Sequence, residues 1–364
     1  MKILKAIIIS LVLLNLPSWV LSVYGPLLGS ILSYITILFL IIYYIIEKKT
    51  QPNMWMIILA LSYFLISSLQ YYGNPYDFIV NTLKYFIFII SGYELTKRVS
   101  KIQLFYFLII GSLSVGIEAF FFPSKFGRYD GFYLNANVAG FICIFGYSLT
   151  YGLKSNSLKL IGQFVFTLMG LLTFSRTFIV IWVFLNIISL KISLKNIRIL
   201  GVGVLIFSSL IFIDELVGLN NPRFQQLISL SKNEKVSAQE LNEGGREETW
   251  AMFYDQILDA PILGSGYGTF SGKLGSLGAH NTYLMVIGEA GIIPFFILLF
   301  LIGYLSYWSF YFFKLAPHLI MQTIALAMFL LANHNFFTFY YVSFALMWIQ
   351  YQILMHKKND FLNN

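Results

Sequence analysis

Arg176 opens an apolar run in the stretch Phe174-Ser-Arg-Thr-Phe178, and Arg128 precedes Asn135 and Asn137 at the mouth of another. A guanidinium at such a place is ordinarily an interfacial anchor. Two or three of them turned into one cavity would instead clamp a diphosphate, because the planar fork pairs bidentately with phosphate oxygens. Arg223 and Arg246 lie in a long polar stretch, 215–280, whose five Lys/Arg stand against eight Asp/Glu, 5 − 8 = −3. Anion binding there must come from particular arginines, not from a diffuse positive field. His280 follows in Ala279-His-Asn-Thr-Tyr-Leu284. An imidazole titrates near pH 6.5 and can take a hydroxyl proton, but no neighbour in the sequence marks this one, and capping or packing is the plainer reading. Asn281 suits the N-cap of a short helix reaching Glu289, with Gly291 and Pro294 just beyond. His334 and Asn335 read either as turn groups or as lining of the same site.

Two other chemistries are weaker. Gly264-Ser-Gly-Tyr-Gly268 has glycines enough to cradle a phosphate, yet it follows the Pro261 that stops a helix rather than a strand. The dinucleotide reading fails on that context, and a flexible turn is expected. Cys143 is the only cysteine and lies inside an apolar run. No Cys/His cluster has metal-ligand spacing, so neither a metal nor a cofactor is expected.

The elements that must position these residues are set by hydropathy. The chain is 58% hydrophobic, 18% aromatic and 11% charged, with a mean hydropathy of +0.76. Water cannot hold that much apolar surface with so few charges; a bilayer can, if the backbone satisfies itself within helices. The net charge of +8 is spread between apolar runs and forms no patch, which argues against a nucleic-acid partner. Apolar runs fall at about 3–22, 26–46, 54–70, 77–96, 102–122, 134–152, 157–173, 174–190, 197–214, 291–313, 317–333 and 336–355. The expected fold is therefore an all-α polytopic membrane protein of about twelve helices. Residues 1–214 form an N-terminal bundle of about nine, 215–290 a large outer loop, and 291–364 the last helices and a tail. The first run reads as a retained helix, not a cleaved signal. Within the loop, 229–245 is a polar arm. From Arg246 onward, Trp250, Phe253, Tyr254, Ile257 and Leu258 recur at helical spacing and predict one amphipathic helix up to Pro261.

Orientation follows from Lys and Arg. With the N-terminus inside, the inner segments hold fifteen and the short outer ones only three, Lys125, Arg128 and Arg176. Both termini are then cytoplasmic and the large loop faces outward. Of the ionisable residues near or within spans, Lys84, Glu118, Arg176, Asp214 and Glu289 fall in the outer half; Glu94 does not. Charge at membrane depth costs roughly 2.5–3.5 kcal/mol on the insertion scale. Either these groups snorkel at helix ends or they line a polar cavity open outward.

The order Arg246…Trp250…Pro261-Ile-Leu-Gly264-Ser-Gly266-Tyr-Gly268-Thr-Phe270…His280-Asn281-Thr-Tyr-Leu284…Glu289-Ala-Gly291 resembles the signature region of the bacterial O-antigen ligase/polymerase superfamily. Gly131-Phe-Tyr-Leu-Asn135-Ala-Asn137 and Ser175-Arg176-Thr177 agree, as does the plan of some twelve spans with one large outer loop. The resemblance implies a GT-C-like, metal-independent glycosyltransferase facing the periplasm from the bacterial inner membrane. Its donor would be an undecaprenyl-diphosphate-linked oligosaccharide, with a flippase and a chain-length regulator as possible partners. Carried over by position, Arg176 and Arg246 contact the donor diphosphate and His280 acts near the acceptor hydroxyl. Asn137, Asn281 and Glu289 support them. Arg128 and Arg223 have no counterpart and enter as substrate-binding candidates on their chemistry alone.

A polymerase moves the growing chain onto the next lipid-linked repeat unit, whereas a ligase moves it onto lipid A-core. The compact chain and modest loop favour the polymerase. A transporter or flippase is the rival of another class, but the charges sit to one side rather than at the midplane, and no internal repeat is evident. A structural or sensing membrane protein predicts no glycan defect on deletion.

Overall fold

The computed structural model describes residues 1–122, 127–217, 246–275 and 277–363. Among them every regular element is helical, as the backbone of so apolar a chain requires. α1 (Lys2–Leu13) and α2 (Leu16–Tyr24) are followed by α3 (Pro26–Ile46), α4 (Met54–Ser68), α5 (Pro75–Lys97) and α6 (Lys101–Phe121). Then come α7 (Ala136–Thr150), α8 (Asn156–Leu172), α9 (Arg176–Leu190) and α10 (Ile197–Val217). After the polar stretch, α11 (Arg246–Ala251), α12 (Tyr254–Asp259) and α13 (Thr282–Ala290) lead into α14 (Ile292–Tyr311), α15 (Pro317–Leu330) and α16 (Tyr340–Asn363).

Each of the twelve apolar runs holds a helix. Local chemistry sets many of the starts: Asn53, Asn74, Ser100, Asn135, Ser155 and Ser175 each cap a helix with the side-chain oxygen, and Pro26, Pro75 and Pro317 occupy first turns. By length and composition four helices can cross a membrane: α3, α5, α6 and α14. α1 and α2 make a fifth if counted together, and α4, α7, α8, α9 and α15 are apolar but shorter. The expected single first span is in fact bent by 62°. Asn15 takes a left-handed conformation (φ 52°) and its amide donates to the Phe132 carbonyl at 3.3 Å. At the tight junction near residue 174, Phe174 turns left-handed (φ 49°) and Ser175 starts a new helix.

The amphipathic helix expected from Arg246 to Pro261 is two short ones. The chain breaks at Met252 and Phe253, which turns Phe253 inward against Phe270 (ring centroids 4.8 Å apart) and leaves Leu258 exposed. Burial of one large ring outweighs the continuity of a short helix. The polar arm 229–245 lies outside the described residues.

The bundle has two distinct ends. At one, Lys5 donates to the Arg98 carbonyl (3.0 Å), Arg98 to the Lys48 carbonyl (2.6 Å), and the Phe312 and His356 rings lie 5.5 Å apart. At the other, Ser67 meets Tyr267, Thr282 meets Asn333, Tyr133 meets Tyr341 and Ser175 meets Asn137. The lysine-rich turns share the first end and the candidate site residues gather at the second.

Candidate functional site

One part of the site is built by the starts of α7 and α9. Ser175, fully buried, caps α9 and also donates to Asn137 Oδ1 at 2.8 Å. Asn135 in turn caps α7 through the amides of Asn137 and Val138. Two helix N-termini are thereby pinned side by side, with Asn137 between them and the exposed Arg176 at the first position of α9. An N-terminal cation opposes the helix dipole, so Arg176 is not there for the helix. The Tyr129 ring approaches Phe174 (6.4 Å) and brings the half-buried Arg128 loop over the same turn. Glu118 holds that loop, accepting the amides of Asp130 and Gly131, both at 2.7 Å. It is therefore a backbone anchor. Burial and the neighbouring Glu118 push Asp130 up to about 6, against the pull of Arg128.

The second part surrounds His280. This residue is exposed and left-handed (φ 47°), and its amide donates to Nδ1 of His334 at 3.0 Å. The two rings lie 4.8 Å apart. His334, 9% exposed, is pushed down to about 4 by burial and by the charges of His280 and Lys273, with a hydrogen bond from its ring to the Ser271 carbonyl opposing. It is thus a neutral ring that accepts at Nδ1 and holds the solvent-facing His280 from behind. Gly278 is required at this contact, since an added Cβ would overlap the His334 ring. Asn281 caps α13 through the amides of Tyr283 and Leu284, as its position predicts. Thr282 donates to the Asn333 carbonyl at 2.5 Å and ties α13 to the 331–339 turn.

Glu289 is fully buried at the far end of α13. Its carboxylate accepts the amides of Phe270 (3.0 Å) and Ser271 (2.7 Å) and the Tyr63 hydroxyl from α4. A buried carboxylate needs such partners, because desolvation is costly unless several donors replace water. Glu289 thus fixes the loop that carries Ser271, and Ser271 contacts His334. The glycines 264–268 are no cradle and no loose turn. The amides of Ser265 and Gly266 are consumed by the Gly288 and Glu289 carbonyls (2.7 and 3.1 Å), and that of Tyr267 by Ser67 (3.0 Å). Gly264, Gly266 and Gly268 all have positive φ. Lys273 shows its stem to solvent and turns its ammonium onto the Tyr267 hydroxyl and ring.

The loop that carries Arg128 and the helix starts that carry Asn137 and Arg176 therefore form one group, and His280, Asn281 and Glu289 belong to another. The 331–341 turn joins them, touching α13 through Asn333 and Tyr133 through Tyr341. Arg246 opens α11; Arg223 lies outside the described residues. Tyr63, Tyr267 and Lys273 were invisible from sequence, since each gains its role only from a partner far along the chain. Lys84, in contrast, is occupied by Ser33 (3.1 Å) and the Tyr34 ring. Among the described residues, no three His, Cys, Asp or Glu side chains gather as a metal set.

Residues 161–299 match the sequence model of a family described as O-antigen ligase, in line with the resemblance carried by the motifs. The match runs from α8 into α14 and takes in Arg176, Arg246, His280, Asn281 and Glu289; Arg128, Asn137 and His334 fall outside it. No curated protein matches the chain.

Proposed function

We propose that this chain, which carries an O-antigen ligase domain over residues 161–299, is a polysaccharide polymerase. It transfers a glycan from an undecaprenyl-diphosphate carrier to the next lipid-linked repeat unit at the periplasmic face of the inner membrane. Members of the family are glycosyltransferase-like enzymes acting on lipid-linked glycans. The observation that supports the reading here is that the end away from the lysine-rich turns carries both an exposed arginine at the start of α9, beside the pinned α7 start, and an exposed, backbone-held imidazole. About twelve spans and cytoplasmic termini are part of the same proposal.

In this mechanism the acceptor hydroxyl attacks the anomeric carbon, the bond to the diphosphate oxygen breaks, and undecaprenyl diphosphate leaves with inversion. Negative charge grows on the leaving oxygens. Arg176, with Arg246 and the α7 and α9 N-termini, stabilises it, since fixed donors aimed at developing charge lower the barrier most. His280 takes the acceptor proton, a step worth typically about 10²–10⁴ in rate. His334 and Glu289 are positioning residues: one holds the His280 backbone, and the other holds the loop behind His334. Arg128 and Arg223 bind the donor or the incoming glycan, and Asn137 and Asn281 keep the two helix starts in place.

A ligase reading is favoured by the description of the matched family and uses the same residues with lipid A-core as acceptor. Deletion separates the two. Surface glycan reduced to single repeat units on core identifies the polymerase, whereas loss of all attachment identifies the ligase. His280→Ala and Arg176→Ala are each expected to insert normally, cut polymer yield at least a hundredfold and accumulate lipid-linked donor. Normal polymer from either variant removes that residue from the mechanism.

A further inference from the structure

A pocket of about 360 Å³ opens at the opposite, lysine-rich end, between the 97–101 turn and α16. Lys97, Ser100, Lys101, Gln352, His356 and Asn359 supply its polar lining. Lys97 is satisfied by Glu94 at 2.9 Å and by the Gln51 carbonyl at 2.8 Å. Lys101 is not. It is half-buried at the first position of α6, within Coulombic reach of Lys154, His318 and His356, and no carboxylate pairs with it among the described residues. A cation in a first turn also opposes the helix dipole. The acids nearby are engaged: Glu94 with Lys97 and Arg98, and Asp360 with the Tyr311 hydroxyl.

His318 lies behind this pocket, within Coulombic reach of Lys101 and His356 and with its ring against Gly152. It stands at the second position of α15 and is 1% exposed, and neither ring nitrogen has a hydrogen-bond partner. Buried polar groups are almost always paired, and leaving one unpaired costs about 1–3 kcal/mol. Lys101 and His356, from the start of α6 and from α16, thus face one cavity beside Lys97, and no carboxylate is among its lining residues.

We propose that this pocket binds a phosphate group, and that the headgroup of an anionic phospholipid supplies it. Met355, 40% exposed, lines the pocket on α16, and with the equally exposed Leu354 next to it in sequence gives acyl chains an apolar contact. The site shares no residue with the transfer reaction.

The test uses the full-length protein in neutral detergent and reads its thermal midpoint during titration with phosphatidylglycerol, phosphatidylcholine or inorganic phosphate. Phosphatidylglycerol is expected to raise the midpoint by about 2–4 °C, and phosphatidylcholine to leave it unchanged. Lys101→Gln and His356→Gln should abolish the rise, and Lys101→Arg should retain it. Without added anion, Lys101→Gln should be no less stable than the parent, because it relieves repulsion; this separates a binding role from a structural one. An equal rise with inorganic phosphate, lost in Lys101→Gln, upholds the anion pocket and assigns it to free phosphate. No response to either anion, or equal responses in parent and Lys101→Gln, overturns the proposal.

Discussion

His334 can accept the His280 amide only while its Nδ1 carries no proton. Its folded pKa of about 4 lies below the ordinary imidazole value near 6.5, so between those values the unfolded chain binds the extra proton. The sign follows from linkage: the contribution to stability is complete above pH 6.5 and is lost as pH falls towards 4. Thermal midpoints of the purified protein should be level from pH 7 to 8 and decline below 6.5. His334→Gln, which still offers a side-chain oxygen to the amide, should flatten that decline; an unchanged slope in the variant would place the titration elsewhere. Under the proposed mechanism activity would respond differently, because His280 must itself be neutral to accept a proton.

At the scale of elements, the loop 260–275 and α13 are locked by glycines. Gly291 closes α13 with φ 76°, and an added Cβ would overlap the Ile262 carbonyl oxygen. A left-handed backbone costs about 1–2 kcal/mol for a residue with a side chain, and the overlap adds to it. Gly291→Ala is expected to lower the midpoint by several degrees and reduce yield in the membrane. Gly303→Ala, in α14 with open space around it, should be neutral or slightly stabilising. If both behave alike in a thermal assay, the packing of the loop on α13 is not what holds it. Helix positions, the Asn281 cap and the Ser175 helix start could be read from sequence, because hydropathy runs and capping side chains are local signals. The bend at Asn15 and the break at Phe253 could not, since each is decided by a contact with Phe132 or Phe270 distant in the chain. The same holds for the site: Arg176 and His280 carry visible chemistry, whereas Tyr63 is one more aromatic in an apolar run until Glu289 is placed against it.

For the whole molecule, segregation of the two ends makes sidedness testable. Cys143 is the only cysteine and is buried, so Cys143→Ala provides a background without thiols. A single cysteine at Leu277, beside His280, should react with a membrane-impermeant maleimide added to the periplasmic side of intact cells. One at Leu194, which is 79% exposed between α9 and α10, should react only after permeabilisation. The reverse pattern would reject the proposed topology together with the periplasmic site.

The pinning of Asn137 by Ser175 also bears on how the chain can vary. Because one hydroxyl both starts α9 and fixes the head of α7, a change there would move Arg176 and its neighbouring helix together. The position of Arg176 and the bundle geometry are consequently a single inherited trait at that joint, and a relative that altered one would have to re-tune the other.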